Sequence, residues 1–283
     1  MTPHFDPYPT LPLWDGEPPL RRPEDAALSE DYEGGESRLI KHLTNVSTPT
    51  LSFFPATAQH PTPCVLVCPG GGYRFLAWNH EGTDVVHGLL ASGISAAILK
   101  YRCPDRRDQA LCDARRAIRM LRARAGEWNI LPGKIGILGF SAGGSLAIRT
   151  CCSTEPDYPH RDSADELSCR PDFAIPIYPA YIKADGPDWN PVPDLDPAKA
   201  PPTFMAQSQD DPYWESAYAW AIALRKAGIP FEHHVWPEGG HGWGMREDFG
   251  NPSAAWFDLA VAWIRRVTES DSSSNRKPEV DPE

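Results

Sequence analysis

The sequence predicts an α/β fold, a mostly parallel central sheet with helices on both faces. Three observations predict it. Short apolar runs of strand length alternate with longer stretches at helical spacing. The strand-length runs are continuously apolar, as strands buried on both faces are. Candidate reactive residues fall just past the ends of those runs, where open α/β sheets place their ligands.

The elements follow in order. Thr50 to Phe54 is a short β-prone run. Cys64-Val-Leu-Val-Cys68 is a buried strand that feeds the tight loop Pro69-Gly70-Gly71-Gly72. Ile94 to Tyr101 is a second such strand. Leu111, Ala114, Ile118, Leu121 and Ala125 recur at helical spacing, with arginines on the other faces. Ile135 to Phe140 is a third buried strand, and Ser145 to Cys152 continues as helix. Phe173 to Tyr178 and Thr203 to Ala206 are further strands. Trp214 to Ala227 is helical and ends at Gly228-Ile-Pro230; Phe231 to Trp236 is a strand, and Ala254 to Val267 the closing helix.

This pattern divides the 283 residues into three parts. Residues 1–45 are rich in Pro, Asp, Glu and Gly and read as an extended N-terminal arm, anchored on the domain by Leu11, Leu13 and Trp14. Residues 46–267 form the catalytic domain. Residues 268–283 carry too little apolar content to bury and are expected to be a disordered tail.

Charge and composition exclude several classes of partner. With 27 basic against 38 acidic residues the net charge is −11, which disfavours nucleic acid and anionic membrane surfaces, since both need a positive footprint. No window approaches the ~18 uninterrupted apolar residues of a membrane span. The start, MTPHFDPYPT, has no basic region followed by an apolar one, so no signal peptide is visible and a cytoplasmic location is expected. The seven cysteines are odd in number and lack paired metal spacing, consistent with reduced, packed thiols.

The chemistry centres on Gly139-Phe140-Ser141-Ala142-Gly143, a match to G-x-S-x-G. Alone the pattern is weak, expected by chance in about one chain in ten of this length. Its setting adds weight. It follows an apolar strand and opens an apolar helix, the context of a nucleophile elbow that exposes a serine hydroxyl. Serine needs a base. His233 and His234 lie inside a strand, whereas His241 sits on the glycine-rich loop Glu238 to Trp243 just past it and can swing to a neighbouring strand end. The base in turn needs a carboxylate. Asp210 and Asp211 follow the strand that begins at Thr203, and adjacent side chains on extended backbone point opposite ways, so only one of them faces His241. An oxyanion needs N–H donors. The amide after the nucleophile, Ala142, supplies one, and the glycine loop supplies Gly71 and Gly72. A phosphate cradle is the competing reading of that loop, but no Gly-Lys-Ser/Thr follows it.

Taken together these residues resemble the α/β-hydrolases of the esterase/lipase superfamily, in particular the xylan esterase, or acetylxylan-esterase-like, branch. The resemblance spans Thr48 to Val267. It rests on Pro69-Gly-Gly-Gly-Tyr73, His80-Glu-Gly82, Leu99-Lys-Tyr-Arg102, Ala117-Ile-Arg119, Ile137 to Gly144, Arg170-Pro-Asp172, Tyr178-Pro179, Asp210-Asp-Pro212 and Gly240-His-Gly242. It implies hydrolysis of carboxylic esters, often acetyl groups on sugar hydroxyls, with no metal or cofactor. It matches Ser141 to the nucleophile, His241 to the base, and Gly71, Gly72 and Ala142 to the oxyanion donors. Related esterases often carry Asp-Pro at the acid, which favours Asp211 over Asp210. Two departures stand out: Pro69 replaces a common His, and Tyr213-Trp214 replaces a common Val-Pro pair at the substrate mouth.

Aromatic residues on the site loops suit the apolar face of a sugar ring. Tyr73, Trp214 and Trp243 are the expected substrate-binding residues. The expected partner is a small-molecule or oligosaccharide ester, processed by acyl transfer through a serine intermediate. Two other readings compete: a small-peptide hydrolase of the prolyl-oligopeptidase type, and a non-catalytic binding protein on the same fold.

Overall fold

A computed structural model of the chain describes residues 8–33, 41–246 and 255–269. Its strands are β1 (Thr10–Pro12), β2 (Asp31–Glu33), β3 (His42–Thr44), β4 (Thr50–Phe54), β5 (Thr62–Cys68), β6 (Phe75–Ala77), β7 (Ser95–Lys100), β8 (Ile130–Phe140), β9 (Phe173–Ile177), β10 (Thr203–Ser208) and β11 (Phe231–Trp236). Its helices are α1 (Asp84–Ala91), α2 (Arg107–Ala123), α3 (Ala142–Cys152), α4 (Trp214–Ala227) and α5 (Trp256–Glu269).

Eight strands form the main sheet in the order β1-β4-β7-β5-β8-β9-β10-β11. From β7 to β11 every pairing is parallel, and β4 and β1 add antiparallel at one edge. The period of two sorts side chains between two cores. On β5, Cys64, Leu66 and Cys68 pack with residues of α2, α3 and α4, while Val65 and Val67 pack with α1 and α5. Ala97 and Leu99 of β7 face the first layer, and Ala96 and Ile98 the second. Both faces are therefore covered, which is why these strands read as unbroken apolar runs. Every parallel strand points its carboxyl end the same way, so the loops after β5, β8, β9, β10 and β11 gather at one rim.

Three features differ from the expectations or add to them. β8 begins at Ile130, earlier than its apolar run, because Thr62 of β5 pairs with Ile130 across a register shift that accommodates Pro132 and Gly133. A π turn (Asn79–Thr83) leads into α1, and a second sheet of β2, β3 and β6 lies beside it. The closing helix runs through Thr268 to Glu269, so the tail does not begin at 268: Thr268 Oγ1 donates to Ile264 O and continues the helical turn. The rest of the expected tail, 270–283, lies outside the described residues, as do 1–7 of the expected arm.

The described part of the arm is tied down by polar contacts as well as by Leu13 and Trp14, both buried. The Trp14 indole donates to Asp113 at 2.8 Å. Arg102, fully buried, grips the same Asp113 and donates to Pro19 O. Arg116 donates to Leu13 O, and Arg106 pairs with Asp25. Several arginines of the α2 region thus hold the arm instead of facing water. Among the described residues no helix is long and apolar enough to cross a membrane.

Candidate active site

Ser141 sits between β8 and α3 with φ +52° and ψ −114°, a backbone conformation that ordinary residues avoid. The turn is tight because α3 starts against the end of β5. A Cβ on Gly143 would lie 2.1 Å from the Cys68 carbonyl oxygen, so only glycine fits there. β9 and the loop after it brace the strained residue: Ser141 N donates to Ile177 O, and Ala180 N donates to Ser141 O.

His241 reaches this serine from the loop after β11. Its Nε2 is 2.7 Å from Ser141 Oγ, and its Nδ1 is 2.6 Å from Asp211 Oδ2. A carboxylate only accepts, so Nδ1 carries the hydrogen and Nε2 is left to accept from the serine hydroxyl. Asp211 follows β10 and is 1% exposed; its other oxygen accepts from Tyr213 N at 2.7 Å. Both oxygens are occupied, which fixes the carboxylate plane toward the imidazole. Asp210 points the other way. It accepts from Gly239 N and Gly240 N at 3.3 and 2.8 Å and so secures the loop that presents His241. His233 and His234 stay on β11, facing Tyr218 and Glu232.

The glycine loop after β5 stands opposite. Gly71 has φ +128°, and a Cβ there would collide with Phe75 O at 2.1 Å, so this close turn demands glycine. Among the described residues the amides of Gly71 and Gly72 make no hydrogen bond to protein, and the amide of Ala142, first in α3, has no intrahelical acceptor. The loop is anchored behind: Gly70 N donates to Glu81, and Pro69 O accepts from Tyr101 at 2.6 Å.

The expected aromatic residues divide. Tyr73 is 1% exposed and Trp243 2% exposed, so neither presents a ring face to a ligand, and both are corrected from substrate contacts to wall residues. Tyr73 packs on Tyr101 and Tyr181; Trp243 donates to Ser208 and packs on Tyr178. Trp214 is half-buried and rests against Trp189 and Tyr218. Tyr213, which had entered only as a departure from the family pattern, puts its exposed ring 4.8 Å from the His241 ring. Burial is the signal that separates these aromatics, and it is invisible in the sequence.

With a strained serine, a base held in one tautomer by a buried carboxylate, and free amides on two sides, the arrangement can run two-step acyl transfer.

Similarity to known proteins agrees with this chemistry. The BD-FAE family model matches residues 52–166. The chain is 33% identical to endo-1,4-β-xylanase B of Butyrivibrio fibrisolvens over 65% of its length and 33% of that protein. It is 30% identical to an acetylxylan esterase of Xylanibacter ruminicola over 70% of its length and 44% of that protein. It thus spans from a third to under half of these curated relatives. The structure of an acetyl ester-xyloside bifunctional hydrolase from Caldicellulosiruptor lactoaceticus superposes with a TM-score of 0.73 at 30% identity, covering 92% of this chain and 96% of that one.

Proposed function

The chain belongs to the α/β-hydrolase esterase family of the acetyl ester-xyloside bifunctional hydrolase, and from that premise we propose that it is a serine carboxylesterase acting on short acyl, chiefly acetyl, esters of carbohydrate. The observation that carries the reading is the unbroken hydrogen-bonded line Asp211–His241–Ser141. In the proposed mechanism Ser141 Oγ attacks the ester carbonyl as His241 Nε2 takes its proton. The oxyanion is met by the amides of Ala142 and the Gly71–Gly72 loop. His241 then protonates the leaving alcohol, and water activated by the same imidazole releases the acid.

The carbohydrate part of the reading has its own support. Tyr213 lies on His241, and the next residue, Trp214, continues to the exposed Trp189 and to Tyr218. Such a run of aromatic edges beside the base suits the alternating apolar faces of a sugar chain. The relatives named an acetylxylan esterase and an acetyl ester-xyloside bifunctional hydrolase support the same substrate class.

The test pairs acetylated xylo-oligosaccharides with p-nitrophenyl esters of rising chain length, in wild type and Ser141→Ala. The expected result is acetate release from the oligosaccharide, acetate preferred over longer acyl chains, and at least a ~10⁴-fold loss in the variant. Turnover that survives in Ser141→Ala rejects the mechanism; faster cleavage of long acyl chains rejects the small acyl site.

A further inference from the structure

We propose that Glu81 is a positioning residue for the reaction, joining the oxyanion loop to the loop that carries His241; this rests on the esterase reading above. Glu81 lies in the π turn before α1 and is 3% exposed. Its Oε2 accepts from Gly70 N at 2.8 Å, directly behind Gly71 and Gly72. Its Oε1 accepts from the Tyr178 hydroxyl at 2.8 Å. The Tyr178 oxygen in turn accepts from Gly244 N at 2.8 Å, three residues past His241. One carboxyl group therefore closes a chain of three hydrogen bonds across the loops after β5, β9 and β11.

The two sides also touch directly. A Cβ on Gly244 would lie 2.7 Å from His80 and 3.2 Å from the Glu81 side chain, and Met245 N donates to His80 O. Tyr178 is well placed to transmit position. Its ring stands 5.1 Å from the His241 ring, and its amide follows Ile177, whose carbonyl holds Ser141 N. The Glu81 carboxyl is not a bystander at long range either: a Cβ on Gly70 would lie 2.5 Å from Glu81 Oε2 and 3.1 Å from Ser141 Cβ.

A buried carboxyl in a hydrolase core is costly unless its bonds are specific. Burial pushes Glu81 above the usual carboxylate range, while the hydrogen bonds from Tyr178 and Gly70 and the charge of protonated His241 pull it back. Both oxygens meet donors, which offsets part of the cost of burial. The amides after Gly70 and the imidazole act on the tetrahedral intermediate and hardly on bound ester. Slack in the chain should therefore appear in kcat and leave KM nearly unchanged.

The experiment measures kcat and KM for p-nitrophenyl acetate in Tyr178→Phe, Glu81→Gln and the double variant. Rates are taken per serine titrated by a fluorophosphonate, so that misfolded protein does not count. Tyr178→Phe is expected to lose about tenfold in kcat with KM within about twofold. Glu81→Gln is expected to lose at least as much, and the double variant to be within about threefold of Glu81→Gln alone, because the residues act through one chain. Unchanged kcat in a folded single variant, or losses that multiply, overturns the proposal. Should Glu81→Gln not fold, Tyr178→Phe decides alone, since it removes one hydroxyl and keeps the ring. Normal Glu81 and Tyr178 variants beside an inactive Ser141→Ala would defeat this inference and leave the esterase reading standing. Activity in Ser141→Ala would defeat the reading itself.

Discussion

Asp210 and Asp211 differ by one position and by nearly everything else. One is buried against an imidazole, and the other caps two glycine amides at the surface. Asp211→Asn keeps the shape but offers an amide where only an acceptor orients the base, so kcat should fall by ~10⁴ with the fold intact. Asp210→Ala removes a tether, so kcat should fall by about tenfold or less, with KM little changed. Steady-state kinetics on the two variants distinguishes them; equal losses would mean that the loop tether matters as much as the acid. Alternation along extended backbone had already indicated that only one aspartate could face the base, but not which one. That choice is made in the turn after β10, where Gln209 N donates to Trp236 O and Asp211 N to Ser208 O, contacts that depend on β11 lying alongside.

At the scale of single elements the elbow and the outer strand β11 make opposite demands. The elbow has no slack: Gly143→Ala sets a Cβ against backbone carbonyls of β5, which cannot rotate away. It is expected to destabilise the protein by about 3 kcal/mol, at the upper end of overpacking, measured as a lower urea midpoint alongside a large loss of kcat. β11 instead carries a half-buried imidazole with a soft cost. Burial, aided by the charge of His234, pulls the His233 imidazole from its ordinary 6.5 down to about 4. The folded state therefore keeps His233 neutral while the unfolded chain takes up a proton as pH falls below about 6.5. Stability present above that pH is lost progressively down to about pH 4, on the order of 2 kcal/mol at pH 4.5. Urea midpoints at pH 7.5 and 4.5 should converge more closely in His233→Gln than in wild type; identical pH slopes would rule this out.

Over the whole molecule the arm behaves as part of the domain. Arg102 and Asp113 form a buried ion pair that also receives Trp14 and Pro19. Asp113→Ala leaves a buried guanidinium unpaired and should cost about 3–5 kcal/mol. Trp14→Ala should cost about 3 kcal/mol by cavity formation and loss of one hydrogen bond. Chemical unfolding checks both, and a two-state transition in which arm and core unfold together is expected. The arm pairs through β1 with β4 at the sheet edge remote from β10 and β11, where the loops of Asp211 and His241 arise, so these losses should appear in stability before they appear in KM.

The residues alone determined the α/β layering, the strand-to-helix serine turn, the choice of His241 over two strand histidines, and the glycine loop opposite it. Each of these is a local matter: apolar period, turn chemistry and position at a strand end are written in consecutive residues. Tertiary structure decided what depends on distant segments meeting. It set Asp211, which the family resemblance already favoured, against His241, withdrew Tyr73 and Trp243 from the ligand face by burying them, and brought Tyr213 onto the His241 ring. It also joined Glu81, Tyr178 and Gly244, which stand 97 and 66 residues apart along the chain. No periodicity encodes such meetings, because they follow from how the six parallel strands, β5 and β7 to β11, align their carboxyl ends at one rim.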